Sequence, residues 1–131
     1  MEKTAINPWT WQDRLGFVQA NQVTGATRTL IVSGQTSVDD DGRPLHAGDM
    51  GAQVARAVSN LETVLKAADF TLADVVKLTY FTTDIDAFMK SSAAGLGHIM
   101  QSGCRPASTL IGVQRLFLPE ILVEIEATAM R

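Results

Sequence analysis

The sequence predicts an α+β domain: one sheet with two helices packed on one of its faces. Three observations carry this. Apolar residues spaced three and four apart mark a long amphipathic helix. A clean apolar–polar alternation near the end marks a strand. Between and before them the elements read strand, strand, helix, strand, helix, strand, strand. The 131 residues match the length of one domain, so residues 1–131 are read as a single unit. At 46% hydrophobic and 19% charged, the chain can fill a core and is too apolar for disorder.

Taken in order, Gly16 to Val23 alternates apolar and polar, as a half-buried strand does. Gly25-Ala26-Thr27 is turn-like, and Thr29 to Ser33 is a β-branched apolar run. These two strands are expected to pair as a hairpin. Asp39-Asp40-Asp41-Gly42-Arg43-Pro44 reads as a loop. Asp49 is placed to cap a helix whose stripe is Met50, Val54, Val58, Leu61, Leu65 and Ala68, with Gln53, Arg56, Ser59, Glu62 and Lys66 assigned to the polar side. Ala73 to Thr82 is the third strand. Asp84 caps a second helix with Asp86 in its first turn, where the helix dipole favours negative charge. Its stripe runs from Ile85 through Phe88, Met89, Ser92, Leu96 and Ile99 to Met100, interrupted by Gly95 and Gly97. Ala107 to Val113 is the fourth strand. In the fifth, Leu122 to Ala129, Val123, Ile125 and Ala127 share one face and Glu124 and Glu126 the other.

Two crossovers of the same hand place both helices on one face of the sheet. The opposite face is left open, which suits an oligomer but is also tolerated by antiparallel sheets in a monomer. The net charge is −3, the pI about 5.2 and the mean hydropathy +0.09. With 11 scattered Lys and Arg, nucleic acid is disfavoured as a partner. No apolar run is long enough to cross a membrane. The N-terminal segment lacks the apolar stretch of a signal peptide. Cys104 is the single cysteine, so no intrachain disulfide forms. The expected compartment is the cytoplasm.

Five segments together resemble the RidA family, also called YjgF. They are Ile31-Val32-Ser33-Gly34-Gln35, Asn60-Leu61-Glu62-Thr63-Val64-Leu65, Asp74-Val75-Val76-Lys77, Arg105-Pro106-Ala107-Ser108-Thr109 and Val123-Glu124-Ile125-Glu126-Ala127. The resemblance runs from about residue 15 to residue 130. It implies a chorismate-mutase-like fold, assembly as a homotrimer with clefts between subunits, a small-molecule substrate, and hydrolysis of reactive imines and enamines without metal or organic cofactor.

Carried over residue by residue, the resemblance makes Glu124 the candidate catalytic group that places a water near the imine carbon. Ser33 and Gly34 become substrate-binding candidates through their backbone. Three positions depart from the family pattern. The arginine that follows Pro-Ala is Ser108 here, the N-terminal tyrosine is Phe17, and an asparagine at the start of the second helix is Asp86. An arginine grips a carboxylate through two parallel hydrogen bonds, which serine cannot copy. The expected substrate is therefore not a standard 2-imino acid. Arg105 lies three residues before Ser108, roughly 10 Å away and on the other side of an extended strand; it stays a candidate substrate contact.

Other chemistry was weighed on the residues alone. By strand pattern Glu124 reads as an ordinary exposed or ion-paired glutamate; the resemblance gives it a role. Glu124 and Glu126 at strand spacing echo a glycosidase pair, but any alternating strand makes one. Cys104 and His98 read as a small buried thiol and a surface imidazole rather than a nucleophile pair. With His46 they offer no metal-ligand spacing, and no phosphate-binding glycine loop is present. Trp9 and Trp11 are expected to pack the N-terminal arm. Three functional readings stand: an imine or enamine hydrolase, a non-catalytic metabolite-binding or regulatory protein, and an endoribonuclease.

Overall fold

The computed structural model describes residues 1–131. Its strands and helices are β1 (Glu2–Ile6), β2 (Ala20–Thr24), β3 (Thr29–Thr36), α1 (Met50–Ala67), β4 (Val75–Thr82), α2 (Ile85–Ser91), α3 (Ala93–Gln101), β5 (Ala107–Gly112) and β6 (Val123–Met130). β3 and β4 both run antiparallel to β6, and β5 runs parallel to β4, giving the order β3-β6-β4-β5. Each parallel step is bridged by helix, α1 between β3 and β4, then α2 and α3 between β4 and β5. The fold is the mixed α+β arrangement expected.

Both helix starts are set by aspartate. Asp49 accepts a hydrogen bond from the Ala52 amide at 3.0 Å and Asp84 from the Ala87 amide at 2.9 Å, satisfying amides that a helix start leaves free. The α1 stripe is buried from Met50 through Val54, Val58 and Leu61 to Leu65. It meets Leu78, Val123, Ile125, Ala127 and Ala129 in one core. Gln53 departs from its expected polar-side placement and is fully buried. Its amide donates to His46 O (3.1 Å) and Glu120 O (2.8 Å) and accepts from Leu122 N (2.9 Å). Those bonds make burial tolerable and clamp the approach to β6 onto α1.

Three expectations are corrected. The first two strands do not form a hairpin. β2 pairs antiparallel with β1, a strand not expected at all, in a separate two-stranded ribbon, while β3 pairs with β6. The intervening segment is diverted because the amides of Thr27 and Arg28 donate to Arg131 O and Arg131 N returns a bond to Arg28 O. The ribbon touches the main sheet where Val18 bridges Ala107 and where Asn21 donates to Val76 O (2.8 Å) and Arg105 O (3.1 Å). The strands thus form two sheets rather than one. Finally, the second helix is two, divided at Ser92.

That division follows from the way α2 and α3 seat on α1. Ser91 O lies so close to Gly51 that a Cβ there would be 3.1 Å from it, and a Cβ on Gly95 would lie 2.8 Å from Val54 Cγ1 and 3.0 Å from Ala55 N. Gly97, one half-turn away, has open space where its Cβ would go. The same substitution should therefore act with opposite signs. Gly97→Ala gains about 0.5–1 kcal/mol of helix propensity. Gly95→Ala forces a side chain into backbone and loses about 1–3 kcal/mol to overpacking. Urea unfolding of the two variants checks both signs.

The face of the sheet away from the helices carries Ile31 (82% exposed), Phe81, Ile111, Glu124 and Glu126. No helix of the chain is long and apolar enough to cross a membrane.

Candidate functional site

β3 does not run evenly along β6. Val32 pairs with Ala127 and Gln35 with Ile125, so two residues, Ser33 and Gly34, stand opposite Glu126 alone. This is a β-bulge, a device that re-aims side chains where it occurs. Here it brings Gly34 beneath Glu124. A Cβ on Gly34 would fall 1.7 Å from Glu124 Oε1 and 2.4 Å from its carboxyl carbon. Glycine is required at residue 34 by this close approach.

Glu124 is half-buried, with Phe81 as its cross-strand partner on β4 and Ser33 exposed nearby on β3. Burial pushes its carboxyl above the usual carboxylate range, and the charge of Glu126 pushes the same way. A carboxylate raised toward neutral pH is a better proton acceptor in catalysis than an ordinary one, because it holds the proton it takes. Glu126 is exposed beside it. A Cβ on Gly34 would also lie 2.6 Å from Glu124 Cγ, so Gly34→Ala must move the whole Glu124 side chain, displacing the carboxylate at some cost in stability. A shift of about 1 Å in a catalytic group costs on the order of a hundredfold in rate. Turnover lowered by that factor at temperatures where the variant stays folded, with a lowered melting temperature, is the expected outcome.

A second group of candidates collects at the start of β5. Val18 N donates to Pro106 O at 3.0 Å and Val18 bridges Ala107 in parallel, which sets Phe17 level with Pro106. Ser108 pairs in register with buried Leu78, on the helix-bearing face. Tyr80 lies two residues along β4 on the same face, its phenol pushed above its ordinary value chiefly by burial, with Cys104 adding repulsion and Ser108 opposing. Arg105 turns elsewhere: its guanidinium donates to Met100 O (3.0 Å) and Cys104 O (2.8 Å), closing the end of α3. This is a helix C-terminus held by a cation. Asp86 is exposed in the first turn of α2, next to Ile85, which packs on Gly112 at the far end of β5.

One chain therefore brings Ser33, Gly34 and Glu124 together, while Phe17 and Ser108 both lie near the start of β5. Glu124 is level with Phe81 and Ile111. Ser108 lies three residues back along β5, two strands over. At standard sheet spacings that is on the order of 14 Å, on the opposite face. No single protomer joins the two groups.

The remaining candidates are also placed. Cys104 is fully buried with its thiol pushed up to about 11, chiefly by burial, which is the reverse of an activated nucleophile. His98 instead meets Glu62, Nε2 to Oε2 3.1 Å. No group of three His, Cys, Asp or Glu side chains is arranged to hold a metal. Trp9 and Trp11, expected to pack the N-terminal arm, are 60% and 58% exposed. Phe81 beside Glu124 and the Gln53 clamp were missed by sequence reasoning. Cross-strand register alone reveals the first, and no periodicity signals the second.

Fold and site together define a small α+β protein of the YjgF type, with an acid on the last strand laid over a glycine bulge. The family described as Endoribonuclease L-PSP matches residues 14–131. The chain is similar to 2-iminobutanoate/2-iminopropanoate deaminase of Salmonella typhimurium, 31% identical over 103 residues, 78% of this chain and 79% of that protein. It is similar to a RutC family protein of Pyrococcus horikoshii, 30% identical over 111 residues, 85% and 86% of the two chains. Among solved structures it resembles YyfB of Yersinia pestis, a Rid-family protein of unknown function, with TM-score 0.89, 35% identity and 100% of both chains covered. The chain belongs to the RidA/YjgF family.

Proposed function

We propose that this protein is a cytoplasmic, cofactor-independent hydrolase of a reactive imine, an enamine or a related small nitrogen compound. It works as a homotrimer in clefts between subunits, one supplying Ser33, Gly34 and Glu124, the next supplying Phe17 and Ser108. The observation that carries this reading is the Glu124 carboxylate seated on Gly34 with its proton affinity raised by burial. The exposed apolar residues of the open sheet face, Ile31 above all, support assembly, because large exposed apolar side chains mark contact surfaces.

The chemistry follows from these groups. Backbone groups at Ser33 and Gly34 hold the nitrogen end of the substrate. Glu124 takes a proton from a water as its oxygen bonds to the imine carbon, and the C=N pair moves onto nitrogen. The resulting carbinolamine receives that proton on nitrogen. Glu124 then takes the hydroxyl proton and passes it to nitrogen as the C–N bond breaks, so that ammonia leaves and the oxygen stays on carbon as a carbonyl. An enamine enters the same course after a proton is added at carbon.

Ammonia release from freshly generated 2-iminopropanoate, beside imines without a carboxylate, tests the reading. The expected result is weak or absent acceleration for the first and clear acceleration among the second, since Ser108 offers no carboxylate anchor. No acceleration with any imine or enamine, alongside firm binding of a small metabolite, would replace it with the non-catalytic reading. A lone protomer in sedimentation would remove the cleft. The ribonuclease reading is disfavoured by Glu124 and Glu126 on the open face, which repel phosphate; salt-sensitive RNA cleavage lost on replacing Glu124 would revive it.

A further inference from the structure

Phe17 has an aromatic partner. The Trp11 ring meets it edge-on, with centroids 5.9 Å apart and planes at 73°, a favoured geometry for aromatic pairs. Trp11 nonetheless stays more than half exposed. The loop that presents it is firmly held. Gln12, fully buried, donates to Trp9 O at 2.9 Å and Asp13 Oδ1 at 3.2 Å and accepts from Gln19 Nε2 at 3.1 Å. Asp13 N and Leu15 N bond back to Thr10 O and Gln12 O. A large indole is thus displayed on a braced loop, against the side chain that stands at the proposed cleft.

The candidate positions carried over beside this pair, Ser108 and Arg105, offer no anchor for an anion. Ser108 is neutral and level with buried Leu78 on the helix-bearing face, and Arg105 is committed to the end of α3. The family match begins at residue 14, so Trp11 lies outside the matched residues. We propose that Trp11 and Phe17 form an aromatic wall that selects imines or enamines bearing a flat apolar substituent and no carboxylate. The assignment rests on the hydrolase reading above and names the substrate class of that site. Trp11 determines specificity by touching the substituent, and Glu124 does the chemistry.

Phenyl-bearing and methyl-bearing imines, both without a carboxylate and generated in situ from the corresponding amines, give the test. The readout is the ratio of kcat/KM for the two in the wild type, Trp11→Ala, Trp11→Phe and Glu124→Gln. The wild type should favour the phenyl substrate about tenfold or more. Trp11→Ala should collapse that ratio toward one and Trp11→Phe restore most of it. A merely structural Trp11 would lower both rates together and leave the ratio unmoved, which overturns the proposal, as does a wild type faster than Glu124→Gln but without phenyl preference. If the wild type is no faster than Glu124→Gln on either imine, the hydrolase reading itself falls and the wall's role falls with it.

Discussion

Glu124→Gln is expected to lower turnover of the true substrate by about 10²–10⁴-fold, the range for loss of a positioned general base. Glutamine keeps the size and hydrogen-bonding reach of the side chain over Gly34, so fold and assembly should persist. The same variant carries a pH signature. The folded carboxyl of Glu124 sits above its ordinary range, so the folded state binds its proton more tightly than the unfolded chain does. Its contribution to stability is fully present below the ordinary glutamate value, about 4.3, and is lost as pH rises through the raised folded value. Glu124→Gln cannot ionise. It should be more stable than the wild type at neutral pH, and the difference should close as pH falls below about 4. Paired thermal melts across that window check the sign, and a variant less stable at neutral pH would refute the origin assigned to the shift.

Gln53→Leu should be strongly destabilising although it leaves the core's volume nearly unchanged. Leucine fills nearly the same space but leaves His46 O, Glu120 O and Leu122 N without their partners. Each buried polar group left unpaired costs about 1–3 kcal/mol, so a total of about 3 kcal/mol or more is expected. Urea unfolding should show a lower midpoint at an unchanged slope. Because those bonds hold residues 120–122 immediately before β6, turnover should also fall at temperatures where the variant stays folded. A near-neutral midpoint would mean that water or a backbone shift replaces all three bonds.

The helices were legible because their signals are local: an aspartate at each start and apolar residues at helical spacing. β6 was legible for the same reason, since Val123, Ile125 and Ala127 alternate with glutamates. Pairing was not. Alternation marks a half-buried strand without naming its neighbour, and the choice of β1 over β3 as partner for β2 turns on backbone bonds between Thr27, Arg28 and Arg131, at opposite ends of the chain. β1 itself is short and almost wholly exposed, with no apolar rhythm to read. The break at Ser92 depends on carbonyl and Cβ clearances against α1, which no propensity encodes.

The site divides likewise. Gly34 and Glu124 were named through family likeness, and their meeting across 90 positions of sequence depends on a register shift no local pattern reports. Arg105 illustrates the converse. Its charge made it a candidate, yet the nearest carbonyls to claim it are those closing α3. Trp11 was visible as a residue, but its edge-on contact with Phe17 belongs to three-dimensional proximity.

Consider the surplus residue in β3. Were either Ser33 or Gly34 deleted, Val32 could still zip against Ala127 and Gln35 against Ile125, now through an unbroken ladder. The ladder itself does not need it, since a bulge is a local insertion that re-aims a strand. The irregularity is therefore superfluous to architecture. What disappears on straightening the strand is the seat beneath the acid, so a one-codon deletion there is expected to separate folding from the proposed hydrolysis.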